Sequence, residues 1–131
     1  MILKCSNQAQ TCNSFPKIIG GSVGHTYINS IDVFADYLAL CGRTHDISIA
    51  PAVPAGNYLP FIALTSVNIP DLYYWIKVLS LNINKYCNGI QLSNDGNLLI
   101  IHDFSSPSSI VAIKVGTGEV LSARTYSSNG I

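Results

Sequence analysis

Charge is scarce in this chain. Seven acids and seven bases make up 11% of its 131 residues, where a soluble domain ordinarily carries about 25%. They cancel to a formal net charge of zero. That excludes the basic field a nucleic acid or an anionic membrane surface would require. The longest uncharged stretch, residues 47–70, contains Pro51, Pro54, Pro60, Pro70 and Gly56, too many breaks for a spanning helix. Met1-Ile2-Leu3-Lys4-Cys5 has too short an apolar core to read as a signal peptide. There is no phosphate-binding loop, no His-Glu-x-x-His and no Asn-x-Ser/Thr glycosylation acceptor. No catalytic, cofactor-binding or metal-ligating residue is assigned, and the chain is expected to be non-enzymatic.

Cysteine is also sparse, at positions 5, 12, 41 and 87. None of these spacings fits a zinc knuckle or a redox Cys-x-x-Cys. Cys41 falls inside an apolar strand pattern, where it behaves as a small hydrophobe. Free thiols are therefore expected. A bridge between Cys5 and Cys12, or between Cys41 and Cys87, would require an oxidising compartment.

What the sequence has instead is an internal echo. Asn29-Ser30-Ile31-Asp32-Val33-Phe34-Ala35-Asp36 is matched by Asn88-Gly89-Ile90-Gln91-Leu92-Ser93-Asn94-Asp95. An apolar run follows each, Tyr37-Leu38-Ala39-Leu40-Cys41 and Asn97-Leu98-Leu99-Ile100-Ile101. Self-similarity at this period marks a supersecondary unit that buries its faces by stacking. Short runs rich in β-branched and aromatic residues alternate with turn signals, which predicts an all-β chain. The runs are 28–34, 37–42, 59–67 and 72–80 in the first unit, and 89–92, 98–102, 109–115 and 119–126 in the second. Leu72, Trp75, Ile76 and Leu79 also fall at helical spacing. Tyr73, Tyr74, Trp75 and Val78 are strong strand formers, and a strand is expected there. Residues 1–16 read as a disordered or irregular lead-in and 17–27 as an extra strand with a connecting loop. Residues 28–82 and 83–127 form the two units, and 128–131 a tail.

These residues resemble a β-propeller. Ile90 to Leu99 resembles the first hairpin of a blade, with Ser93-Asn94-Asp95-Gly96 as its turn. Ile110 to Leu121 is similar to a third and fourth strand joined at Thr117-Gly118. Gly24-His25, followed by Ile28, Ile31, Val33 and Asp36, resembles the opening of a WD-repeat. The resemblance, shared with quinoprotein-like propellers, implies two four-stranded antiparallel meander blades packed face to face, plus one extra N-terminal strand. It further implies that His25 and Asp46 take two places in a WD-type hydrogen-bonded set. Trp75, however, lies on the fourth strand rather than the third.

Two features are candidates for binding. The dipeptides His45-Asp46 and His102-Asp103 each end the second strand of a unit, which gives a possible rim. Adjacent strand residues face opposite ways, so both members of a pair cannot readily enter one site. The first unit also has an insertion at 50–58, in which Pro51, Pro54, Asn57 and Tyr58 form a possible binding loop. Tyr58, Tyr73, Tyr74 and Trp75 either form an aromatic contact surface or pack between blades.

A four-stranded blade presents a face of roughly 300 Å². Leaving it wet forgoes about 7–8 kcal/mol, comparable to the stability of a whole small domain. Two blades expose two such faces, so further blades, a protein partner or self-association are expected. The expected function is a non-enzymatic protein-interaction scaffold. The alternative is a piece of a propeller enzyme, quinoprotein-like, whose site needs blades absent here.

Overall fold

The computed structural model describes residues 2–3, 17–18, 22–68, 73–79, 84–103 and 108–126. Among them ten strands form three antiparallel sheets. They are β1 (Ile2–Leu3), β2 (Lys17–Ile18), β3 (Thr26–Phe34), β4 (Tyr37–Thr44), β5 (Leu59–Ser66), β6 (Tyr73–Val78), β7 (Gly89–Leu92), β8 (Leu98–Asp103), β9 (Ser108–Lys114) and β10 (Val120–Tyr126). β1 pairs with β2 alone. β3-β4-β5-β6 and β7-β8-β9-β10 are two four-stranded meanders, each strand beside the one that precedes it. No helix occurs among the described residues, so none there is long and apolar enough to cross a membrane. The helical spacing at Trp75 gives way to strand, as its β-branched and aromatic neighbours require.

The two sheets pack face to face over one core. Ala39, Cys41, Ile62 and Leu64 from the first sheet meet Ile90, Leu92, Leu99, Ile101 and Ile113 from the second. Strand β5 is buried along its whole length, which fits a central strand covered on both faces. Edge strand β3 instead alternates between half-buried and exposed.

Glycines of the second sheet's turns receive aromatic rings of the first. Gly96, at φ +72, lies under the Phe34 ring, where a Cβ would come within 2.6 Å. Gly118, also at φ +72, lies under Trp75 at 3.0 Å, and Trp75 Nε1 donates to Val115 O at 2.8 Å. Each glycine thus meets a turn's backbone demand and clears space for its neighbour sheet.

The boundary between sheets runs along β3 and β7. The β7 amides of Ile90 and Leu92 point away from β8 and are taken by side chains of β3. Ile90 N donates to Ser30 Oγ at 3.3 Å and Leu92 N to Asp32 Oδ2 at 2.7 Å. A bulge at Asn29 shifts the β3 register between Ile28 and Ser30. The Asn29 amide then reaches Cys87 O at 3.0 Å. At the same place Cys41 and Cys87 form a disulfide, with their Cα atoms 5.6 Å apart. The free thiols expected at these positions are corrected: neighbouring sheets bring the two sulfurs together. Cys5 and Cys12 lie outside the described residues.

The outer faces differ from the two wet surfaces expected. On the first sheet Leu38, Leu40, Phe61 and Ala63 are buried, with Ile49 from the β4–β5 loop packed against them. Among the described residues, Ile31, Val33 and Ile76 at the margins of that face stay exposed. On the second sheet Leu98 and Ile110 remain exposed on the outer face, and all of β10 is exposed.

Candidate functional site

The 50–58 insertion is a folded loop anchored at both ends. Ile49 N and Ala50 N donate to Asp46 O, and Asn57 N donates to Pro54 O. Ala50 and Val53 turn inward against Leu59 and Val78, so the loop caps the end of the sheet. Pro51 and Pro54 are exposed. Asn84, held at φ 58, clamps the far end. Its backbone N donates to Tyr58 O at 2.8 Å, its Oδ1 accepts from Tyr58 N at 3.2 Å, and its Nδ2 donates to Asn57 Oδ1 at 2.6 Å.

Beside this loop, on the face of the first sheet that looks toward the second, rings gather around one cation. Tyr27 is the register partner of Arg43, so their side chains share a face. The Arg43 guanidinium carbon lies 4.9 Å from the ring centroids of both Tyr27 and Tyr58, and 5.9 Å from that of Tyr86. These distances are in the range of cation–π attraction. His45 packs 5.2 Å from Tyr58 and 6.1 Å from Tyr27, and His25 lies 6.3 Å from Tyr27.

Several local features build the cluster. Gly42 lets β3 come close, since a Cβ there would sit 1.8 Å from Tyr27 O. The disulfide and the bond from Cys87 N to Gly42 O at 3.1 Å place the linker, and with it Tyr86, beside β4. Arg43 is half-buried, forms no ion pair among the described residues, and has a buried Nε without a hydrogen-bond partner.

The rim expected from sequence is not one site. His45 and Asp46 face opposite ways. His45 joins the ring cluster, whereas Asp46 is fully buried and accepts from Val23 N, Ser48 N and Ser48 Oγ. Thr44 completes this knot, with its Oγ1 accepting from Asp46 N at 3.0 Å and meeting Thr26 Oγ1 at 2.9 Å. Asp46 is thus a loop-fixing residue. His102 points to the outer face of the second sheet, its ring filling the space where a Gly89 Cβ would be. The backbone of Asp103 ends β8 opposite Ser109, and its side chain lies outside the described residues. No group of three His, Cys, Asp or Glu residues able to hold a metal ion occurs among the described residues.

The four aromatic candidates also separate. Trp75 packs in the inter-sheet core and Tyr73 on the outer cluster. Tyr58 belongs to the Arg43 cluster. Tyr74 is exposed and donates to Asp36 Oδ2 at 2.7 Å. Asp36 also accepts from Ser66 Oγ, Asn68 N and Asn68 Nδ2. The Tyr74 hydroxyl first, then that of Ser66, holds the Asp36 carboxyl down to about 2, while the carboxylate raises Tyr74. In the second unit the Ser93 hydroxyl and then Asn97 N hold Asp95 down to about 2. Gly20-Gly21-Ser22-Val23-Gly24 has the spacing of a nucleophile elbow. Ser22 and Gly24, however, sit in an exposed bend that runs into β3, not in a strand-to-helix turn.

Tyr27, Arg43, Tyr86 and Asn84 were not marked by the sequence. The signal for the first two was their register across the β3–β4 hairpin, which only the bulge at Asn29 makes visible. No protein-family model, curated protein or solved structure matches the chain.

Proposed function

We propose that the chain is a pair of propeller-like blades acting as a non-enzymatic protein-interaction scaffold. Its working surface is the strand-end rim formed by the 50–58 loop and the adjoining ring cluster. The observation that carries this reading is an anchored loop with exposed Pro51 and Pro54 beside Tyr58, Tyr27 and Arg43, which forms no ion pair among the described residues. Tyr and Arg are the residues through which protein interfaces concentrate their binding energy. The loop is fixed through Asn84 and through Ala50 and Val53, so a partner meets a shape already formed and the ordering cost of binding is small.

The blade reading draws support from the way the first strand of each meander, β3 and β7, lies beside the other. The exposed Leu98 and Ile110 on the outer face of the second sheet occupy the side on which a further blade would stack. The enzyme alternative gains nothing from His45 and His102, which point to different faces.

Photo-crosslinking tests the scaffold reading. A benzophenone side chain at position 54, in extract of the source cells, is expected to yield one discrete protein adduct. Excess unlabelled chain should compete it away, and the same group at Asn94, exposed in the β7–β8 turn, should not form it. Equal labelling from both positions, or no discrete adduct at position 54, overturns the reading.

A further inference from the structure

We propose that Arg43 is the recognition point for a carboxylate on the partner, presented by an acidic peptide segment lying along the 50–58 loop. This rests on the scaffold reading above and specifies its ligand chemistry.

The guanidinium is a planar fork of five donors with no acceptor of its own. Here its central carbon lies over the rings of Tyr27 and Tyr58, 4.9 Å from each centroid. Those contacts stabilise the cation but satisfy none of its N–H groups. A buried polar atom without a partner calls for a reason, and Arg43 Nε is the one such atom among the described residues. The nearest carboxylate along the chain, Asp46, is spent on Val23 and Ser48 on the opposite face. Among the described residues no acid pairs with the fork.

The surroundings select the ligand. His25 and His45 add ring nitrogens at the same end. The remaining walls are tyrosine rings and a proline-bearing loop, surfaces suited to a peptide. Nucleic acid draws its affinity from many cations neutralising many phosphates. This chain has a net charge of zero and a single arginine in the cluster. One planar carboxylate, gripped end-on by the two Nη groups, which are not buried as Nε is, is the match in charge and geometry.

The test is a titration of the full-length isotopically labelled chain, with the disulfide intact, followed by NMR. The probe is a capped synthetic peptide, Gly-Ser-Glu-Tyr-Glu-Ser-Gly, and its control replaces both Glu with Gln. The Glu peptide is expected to shift the Arg43 Nε–H and the Tyr27 and Tyr58 ring resonances saturably, and the Gln peptide is not. Arg43→Lys keeps the charge but loses the fork, and should weaken binding roughly tenfold, as expected for the loss of one charge-assisted bond. Arg43→Gln should abolish it.

Equal shifts from the two peptides, or binding unaltered in Arg43→Lys, overturns the proposal. Tighter saturation of the same resonances by inorganic phosphate also overturns it, in favour of a small-oxyanion site. If the peptide fails while the crosslink at position 54 persists, the carboxylate assignment falls and the scaffold stands. If both fail, the scaffold falls as well.

Discussion

Asp36 shows how a single half-buried carboxylate organises a turn. Its backbone carbonyl accepts from Val67 N, and its side chain gathers Ser66, Asn68 and Tyr74. Those bonds hold Ala35 at φ 51, a conformation an alanine avoids unless its surroundings over-determine it. Because the folded carboxyl titrates near 2 rather than 3.8, protonation favours the unfolded chain. The stabilisation is complete above the unfolded value and disappears as pH falls from about 4 through 2. Asp95 contributes in the same window. The urea midpoint should therefore decline between pH 5 and pH 2. The double variant Asp36→Asn with Asp95→Asn should start lower and decline less steeply. An equally steep decline in the variant would place the acid sensitivity elsewhere.

Strand β3 is where sequence reasoning and structure separate most instructively. The echo aligns Ile31 with Ile90 and Val33 with Leu92. Yet Ile90 and Leu92 are buried, while Ile31 and Val33 are 39% and 53% exposed. A one-residue offset reverses every side chain of a strand. In β3 the positions facing the second sheet go to Ser30 and Asp32, which accept the free amides of β7. The strands, their order and the meander were legible, because alternation and turn residues are local signals. The pairing of Arg43 with Tyr27 was not legible, since it depends on Gly42 and the bulge at Asn29. Nor was Tyr86, which the disulfide delivers from the linker. The element-scale prediction concerns Asp32. Asp32→Ala leaves Leu92 N without its acceptor at the sheet boundary and should cost about 1–3 kcal/mol. Asp32→Asn, which keeps an acceptor oxygen, should cost less. Chemical denaturation decides, and equal losses in the two variants would show that the amide bond is not what matters.

For the molecule as a whole, the Cys41–Cys87 bridge is a covalent tie between the two meanders in addition to the connecting backbone. Its sequence separation of 46 makes it a long loop closure, so the reduced chain gains considerable freedom when unfolded. Replacing both cysteines with alanine should destabilise the protein by roughly 3–4 kcal/mol, on the chain-entropy account of such links. Denaturation of the double variant beside the wild type measures this. A loss below about 1 kcal/mol would mean that the noncovalent boundary alone joins the sheets. A bond of this kind persists in oxidising surroundings, and preparations should keep it intact.

The same bridge decides what becomes of a damaged molecule. The proline-bearing loop and the connector between the meanders both fall inside the ring that the two cysteines close. A protease that nicks either one opens the backbone without liberating a fragment. The halves stay tethered, and the wound stays hidden until a reductant parts them.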